Sequence, residues 1–372
     1  MLSDCLRGLR VLDLSQFLPG PYAAQVLADL GADVVKVEPP AGDPMRGLGP
    51  IDSDGVAAFY KLVNAGKAVV RIDLKSEAGR RDLETLVARA DALIESFRPG
   101  ALAKLGFGPA ALKALNPSLV HCALSGYGQS GPYARKAGHD INYMALGGGL
   151  ATSGPAARPV PAYPPTADYA SGMQAALVTL AALLRRDRTG QGAFLDVSLM
   201  ETVLAWQPMT LTAARRPGHA PTRGEALLNG GAACYNVYET ADGQFVTLGA
   251  IEDKFWANFC RAVSQADWIE RQWEALPQND LVAAVAALFK TKPLADWAAL
   301  LDAVDCCFQA VIEPVDVPVH PQVAARGLVQ RHNGPDPSVE VLFPALMDGS
   351  TPAPRPPVRE VDVAEILTAW ST

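Results

Sequence analysis

Over its first 125 residues the chain alternates between two periodicities, and that alternation sharply limits the folds open to it. Residues 9–14 (LRVLDL) form a short β-type run, Pro19-Gly20-Pro21 turns the chain, and residues 22–30 carry helical spacing that stops at Gly31. Residues 34–37 are strand-like again and end at Pro39-Pro40. Residues 69–74 are a third strand with an amphipathic helix, 76–90, behind it. Residues 92–97 make a fourth, closed by Arg98-Pro99-Gly100, and residues 119–124 a fifth. Strands separated by helices predict a large α/β domain with a doubly wound, mostly parallel, Rossmann-like sheet.

Such a sheet invites a dinucleotide reading, which the first turn refuses. It reads SQFLPGPYAA where a GxGxxG fingerprint would stand, and no GxxxxGK[ST] occurs either. Nicotinamide, flavin and nucleotide-triphosphate chemistry are therefore set aside.

After Ser125 the sequence turns rich in Gly and Pro (SGYGQSGPY, GHDINYMALGGGL, PAYPPTAD), a stretch long enough to read as binding or catalytic loops. Two helical stretches follow, about 168–186 and 196–214. Residues 235–239 and 244–248, joined through Ala241-Asp242-Gly243, read as a β-hairpin. Helical segments fill 251–304, with Pro277 and Pro293 as breaks. The expected organisation is a large domain over 1–200, a linker helix and loop over 201–224, a smaller α+β domain over 225–315, and a Pro-rich segment, 316–372, that returns to the large domain.

Composition narrows the function. The 372 residues are 49% hydrophobic and 19% charged, enough apolar surface for a sizeable core. A net charge of −7 argues against a nucleic-acid or acidic-membrane binder, so any anionic ligand needs a local basic patch. The apolar stretch 170–184 is interrupted by Ser171, Gln174 and Thr179 and reads as a buried core helix rather than a membrane span. The N-terminus shows no signal-peptide pattern and the chain stops at Trp370-Ser371-Thr372, so a cytoplasmic location is expected. The six cysteines lack ligand spacing, and no metal site is expected.

Three residues stand where chemistry would be placed. Asp168 follows Pro164-Pro165-Thr166-Ala167 and opens an Ala/Leu-rich helix, beside N–H groups without an intrahelical partner. An aspartate there also caps helices routinely, and position does not decide between the two roles. His139 lies at the mouth of a glycine-rich loop, a common place for a capping or surface histidine. Glu252 closes LGAIE where a strand meets a helix, an ordinary place for a carboxylate that complements a helix dipole. His121 sits inside a strand and reads as core; His219, His320 and His332 lie in polar or Pro/Gly-rich segments. Arg71, Lys75, Arg98 and Lys104 cluster at strand ends that face one crevice in a parallel sheet, a place where a phosphate-bearing ligand would bind.

GLRVLDLSQFLPGPYAAQVLADLGADVVKVEPP, RIDLKSEAGR, ESFRPGALAKLGFG and SGYGQSGPY resemble the class III coenzyme A transferase family, up to about HPQVAARG at 320–327. Within it, AGHDINY (137–143), PPTAD (164–168) and NGGAACYNVYETADGQFVTLGAIEDKFW (229–256) look like the α-methylacyl-CoA racemase branch. The glycine-rich lid loop of formyl-CoA transferases has no obvious counterpart. The resemblance implies His139, Asp168 and Glu252 as the catalytic set. It implies Ile72, Leu74 and Lys75 at the adenine end of coenzyme A, Arg98 and Lys104 at its phosphates, and Tyr143 beside the histidine. Pro39 stands where an Arg commonly follows the GADVVKVE segment, and Arg46 is the candidate to compensate. It further implies an interlocked homodimer, no prosthetic group, and coenzyme A only as part of an acyl-CoA substrate.

That set suits racemisation. A proton α to a thioester carbonyl must leave one face and another return to the opposite face, which needs two acid/base groups around one carbon. Imidazole, with an ordinary pKa of ~6.5, and a carboxyl raised from ~3.9 by burial can supply them. Glu252 would accept a hydrogen bond from one ring nitrogen of His139, and N–H groups at the head of the Asp168 helix would hold the enolate oxygen. The alternative is a CoA-transferase in which Asp168 attacks the thioester as a nucleophile. The acyl group is not legible.

Overall fold

The computed structural model describes residues 2–218 and 222–371, so His219 lies outside the described residues. The chain divides into two compact units, one made of Met1–Gly147, Pro164–Trp206 and Pro318–Thr372, the other of Gly148–Tyr163 and Gln207–Val317.

The first unit is built on a seven-stranded sheet. Its strands are β1 (Arg10–Leu14), β2 (Asp33–Glu38), β3 (Ala68–Arg71), β4 (Ala92–Glu95), β5 (Val120–Ser125), β6 (Ala193–Ser198) and a two-residue edge strand, Arg359–Glu360. The order is Arg359–Glu360, β3, β2, β1, β4, β5, β6, and every neighbouring pair is parallel. Chain order runs outward from β1 in one direction and then restarts at β4 in the other. The C-terminal ends of β1 and β4 therefore flank the crevice of a doubly wound sheet, where ligands bind.

Two elements depart from the expected reading. Residues 196–198 belong to β6 and not to a helix, which starts only at Leu199. The edge strand is held by Arg359 and Val361 N–H bonds to Lys67 and Val69 carbonyls, both in the β3 region. It brings the C-terminal segment onto the sheet. The helix Val363–Ala369 then places Ile366, together with Trp370 just beyond its end, in a core with Leu12, Val35, Val70 and Leu93.

On the other face, β1 and β2 carry buried charge beside the apolar pair Val11 and Val34. Asp13 and Lys36 are cross-strand partners and, with Lys67, are almost wholly buried. The Lys67 ammonium donates to Asp13 Oδ2 (2.9 Å), Asn64 Oδ1 (2.9 Å) and the Pro21 carbonyl (2.8 Å). That of Lys36 lies 3.0 Å from Asp43 and donates to the Ser15 carbonyl at 2.8 Å. Asp13 also accepts from the Ser15 N–H and hydroxyl. The network pins the turn after β1, which puts Phe17 in the left-handed region (φ 64°).

The 24-residue helix Thr166–Thr189 is long and apolar enough to cross a membrane by length and composition. It packs one side against β5, β6 and the helix Pro19–Asp29, and Ala175, Ala176, Thr179 and Leu183 are among its buried residues. The expectation of a buried core helix holds for that side alone, since Met173, Leu177 and Leu184 are 51%, 62% and 63% exposed.

The second unit carries an antiparallel sheet, β7 (Tyr235–Glu239), β8 (Phe245–Gly249) and β9 (Phe308–Ala310). Trp256, Phe259, Phe289 and Trp297 from three helices form its core with Val246 and Leu248. Its bounds differ from the expected 225–315. Gly148–Tyr163, expected in the large domain, and most of the expected linker 201–224 belong to this unit. The reason is local, because the Arg223 guanidinium donates to the carbonyls of Ala151, Pro155 and Ala156, each at 2.9 Å.

Candidate active site

A cavity of about 470 Å³ opens at the crevice, lined by the turn after β1, the loop after β4, the end of β5 and the 134–143 loop and helix. His139, Tyr143, Arg98 and Asp168 all line it. These four predicted residues come from three separate stretches of chain, and the sheet's reversal of order is what brings them together.

His139 is the N-cap residue of the helix Asp140–Leu146, and its own N–H donates to Asn142 Oδ1 at 3.0 Å. Its ring stands edge-on to Phe17 with centroids 6.4 Å apart. Tyr143, one turn into that helix, is buried and donates its hydroxyl to the Gly138 carbonyl at 2.5 Å. Burial, then the neighbouring Tyr127, pushes that phenol up to about 12, so it stays protonated. Two glycines leave room for its ring. A Cβ on Gly126 would lie 2.5 Å from the ring and one on Gly138 2.9 Å, closer than packed carbons come.

Asp168 stands in the first turn of its helix, half-buried. Burial, and after it the Asp140 carboxylate, pushes its carboxyl up to about 7. The helix is preceded by Pro165 at the N-cap, which has no side-chain acceptor to offer. The cap comes from elsewhere in the chain. Asp140 Oδ1 accepts from the N–H of Ala167 (2.6 Å) and of Asp168 (3.1 Å). The expectation that these N–H groups would hold an enolate oxygen is thereby corrected, because they already have a carboxylate partner.

The remaining predicted residues fall elsewhere. Ile72 is 3% exposed in the core cluster, Leu74 packs against that cluster, and Lys75 is exposed just beyond β3. Lys104 is exposed at the end of the short helix Ala101–Lys104. None of these four lines the cavity, and β3 is separated from β4 by β2 and β1. Arg46 does not replace the arginine absent at Pro39, because its guanidinium is engaged by Glu38 and Tyr60 (2.8 and 2.7 Å) and by Glu360 (2.9 Å). Arg71 is likewise held by Glu360 and the Pro40 carbonyl. Glu252 lies in the second unit, exposed, as the N-cap residue of the helix Asp253–Ala262.

Gln16, Phe17 and Lys136 are among the lining residues that escaped the sequence reading. Asp140 escaped as a partner of Asp168. Its signal was in view, immediately after His139 in AGHDINY, but its partner lies 28 residues away. Among the described residues no group of His, Cys, Asp and Glu is arranged to hold a metal ion.

A parallel sheet whose crevice presents an imidazole, a raised carboxyl and a basic rim defines an acid/base or acyl-transfer site for an anionic ligand. The comparisons give it a family. Residues 6–359 match CoA-transferase family III, and the chain belongs to that family. It is 35% identical over 330 residues to the α-methylacyl-CoA racemase of Homo sapiens, covering 87% of this chain and 81% of that one. It is 38% identical over 270 residues to the succinyl-CoA–D-citramalate CoA-transferase of Chloroflexus aurantiacus, covering 70% and 65%. The crystal structure of a CAIB/BAIF family protein from Brucella suis superposes with a TM-score of 0.84 at 29% identity, covering 98% of each chain. The protein is thus an enzyme of the family that holds both CoA-transferases and acyl-CoA racemases, and its substrate class is a CoA thioester.

Proposed function

We propose that the enzyme epimerises the α-carbon of a 2-methylacyl-CoA by two-base proton transfer through an enolate. The observation that carries this reading is the pairing in one cavity of His139 with an Asp168 carboxyl held near 7. A carboxyl at that value exists in both forms at neutral pH, so it can give a proton as readily as take one. His139 removes the α-proton from one enantiomer and Asp168 protonates the enolate on the opposite face; the reverse direction exchanges their roles. Glu252 is proposed as the carboxylate that orients the imidazole. Arg98, joined by Lys136 on the same rim, supports binding of the CoA phosphates, with Lys104 proposed to extend that patch, Ile72, Leu74 and Lys75 to meet the adenine end outside the cavity, and Tyr143 to stand beside His139.

The similarity to the Chloroflexus CoA-transferase supports a second reading. There Asp168 attacks the thioester carbonyl, the C–S bond breaks, and CoA thiolate leaves an acyl–aspartyl anhydride. This route leaves His139, which lines the same cavity, without a part in the chemistry, and that places it second.

The deciding experiment follows a single-enantiomer 2-methylacyl-CoA in D₂O without an acceptor acid. α-Deuteration that is lost in both His139→Ala and Asp168→Ala supports the racemase. No deuteration, with a trapped acyl or CoA adduct on Asp168, establishes the transferase instead. We also propose that the enzyme works as an interlocked homodimer in the cytoplasm without a prosthetic group. The exposed Met173, Leu177 and Leu184 on one long helix support the dimer, since so much apolar surface on a single element calls for a cover.

A further inference from the structure

The Asp140 carboxylate caps a helix that is not its own. It leaves the first turn of the helix Asp140–Leu146, reaches the head of the helix Thr166–Thr189, and accepts from two N–H groups there, one of them that of Asp168 itself. His139 is its covalent neighbour. The backbone separation of the two acid/base residues is therefore set by one side chain, across a helix start where proline removes the usual cap. A carboxylate in that place is also a fixed negative charge next to a half-buried carboxyl, and two carboxyls so placed resist being ionised together.

We propose that Asp140 is a positioning residue for the acid/base pair: its carboxylate fixes the Asp168 backbone against the His139 segment and places a second negative charge beside the Asp168 carboxyl. The kinetic part of this inference rests on the two-base reading above. The other ionisable groups lining the cavity are His139, Tyr143, Lys136 and Arg98, and Tyr22 meets the helix one residue on through its ring contact with Tyr169. Burial and the Asp140 charge act together to keep the Asp168 carboxyl protonated, and removing that charge favours the ionised form.

Two substitutions separate the two effects. Asp140→Asn keeps an acceptor oxygen for the two N–H groups and removes the charge; Asp140→Ala removes both. The Asp168 carboxyl is titrated directly by ¹³C NMR of carboxyl-labelled aspartate, its signal assigned by its loss in Asp168→Asn. In Asp140→Asn the expected result is a melting temperature close to the parent's and an Asp168 midpoint lower by about one pH unit. The acid limb of α-deuterium exchange should move with it. In Asp140→Ala the expected result is a lower melting temperature and exchange slowed by roughly 100-fold, the scale of a ~1 Å misplacement of a reacting group. An Asp168 midpoint that does not move in Asp140→Asn overturns the proposal, whatever the exchange rates do. A midpoint that moves in a protein that exchanges no α-deuteron removes the two-base reading and leaves the control of Asp168 by Asp140 standing.

Discussion

Asp168 keeps its proton up to about pH 7, while the same residue in an unfolded chain loses it near 3.8. The folded protein therefore binds more protons across that interval, and stability falls as pH rises from about 4 to about 7. Above it, the cost of an ionised, half-buried carboxyl is carried in full. Asp168→Asn removes that cost, so it should abolish α-exchange and yet stabilise the fold by an amount on the order of a few kcal/mol at pH ~8, with a smaller gain near pH ~5. Denaturant titrations at the two pH values check this. Gly126 makes a different demand, since a methyl group there must displace the Tyr143 ring. Gly126→Ala should cost about 1–3 kcal/mol and slow catalysis, whereas alanine at the open position Gly131, whose φ is +87°, should act on the backbone of its turn alone. Stability and exchange measured on both variants separate crowding of the ring from general strain. His139 and Asp168 stood out in the sequence because each sits where a loop becomes a helix, but only the family resemblance singled them out as an acid/base pair. Asp140 was not, because no periodicity reports a hydrogen bond that spans 28 positions.

The charged face of β1 and β2 sets the behaviour of these elements. Burial by itself would raise the Asp13 carboxyl, but the Lys67 and Lys36 ammonium groups hold it at about 2. Its contribution to stability is full above the unfolded value of 3.8 and is lost as pH falls from about 4 toward about 2. Asp13→Asn leaves Lys67 buried without its carboxylate, while Lys36 keeps Asp43, and should destabilise the protein by ~3–5 kcal/mol, with the acid-side slope of its stability curve reduced. Circular dichroism during acid titration of both proteins reads this out. Five strands of the large sheet were legible as apolar runs between turn residues, and β7 and β8 as a hairpin. β6 was not, because AFLDVS exposes Ala193 to Asp196 at least in part and leads without a break into a helix. Asp13, Lys36 and Lys67 were equally hidden: a charged residue inside a strand reads as solvent-facing until its neighbours in the sheet are known.

At the scale of the molecule, the bare side of the helix Thr166–Thr189 carries the prediction. Leu177→Glu should shift the protein toward monomer in light scattering at micromolar concentration, leaving the far-UV spectrum unchanged, if that side is the face two copies share. The broad division of the chain was legible from its shift in composition. Its boundaries were not, because a segment as short as Gly148–Tyr163 is claimed by a guanidinium more than 60 residues downstream. The edge strand Arg359–Glu360 has a consequence in time. It joins β3 about 290 residues after β3 itself has been made, and the whole of the second unit is translated in between. At ~5–20 residues per second a growing chain would hold the free edge of β3 unpaired for roughly 15–60 seconds. An unpaired edge is a template for wrong partners. Synthesis speed, as much as final stability, would then govern how much of this protein reaches its native sheet.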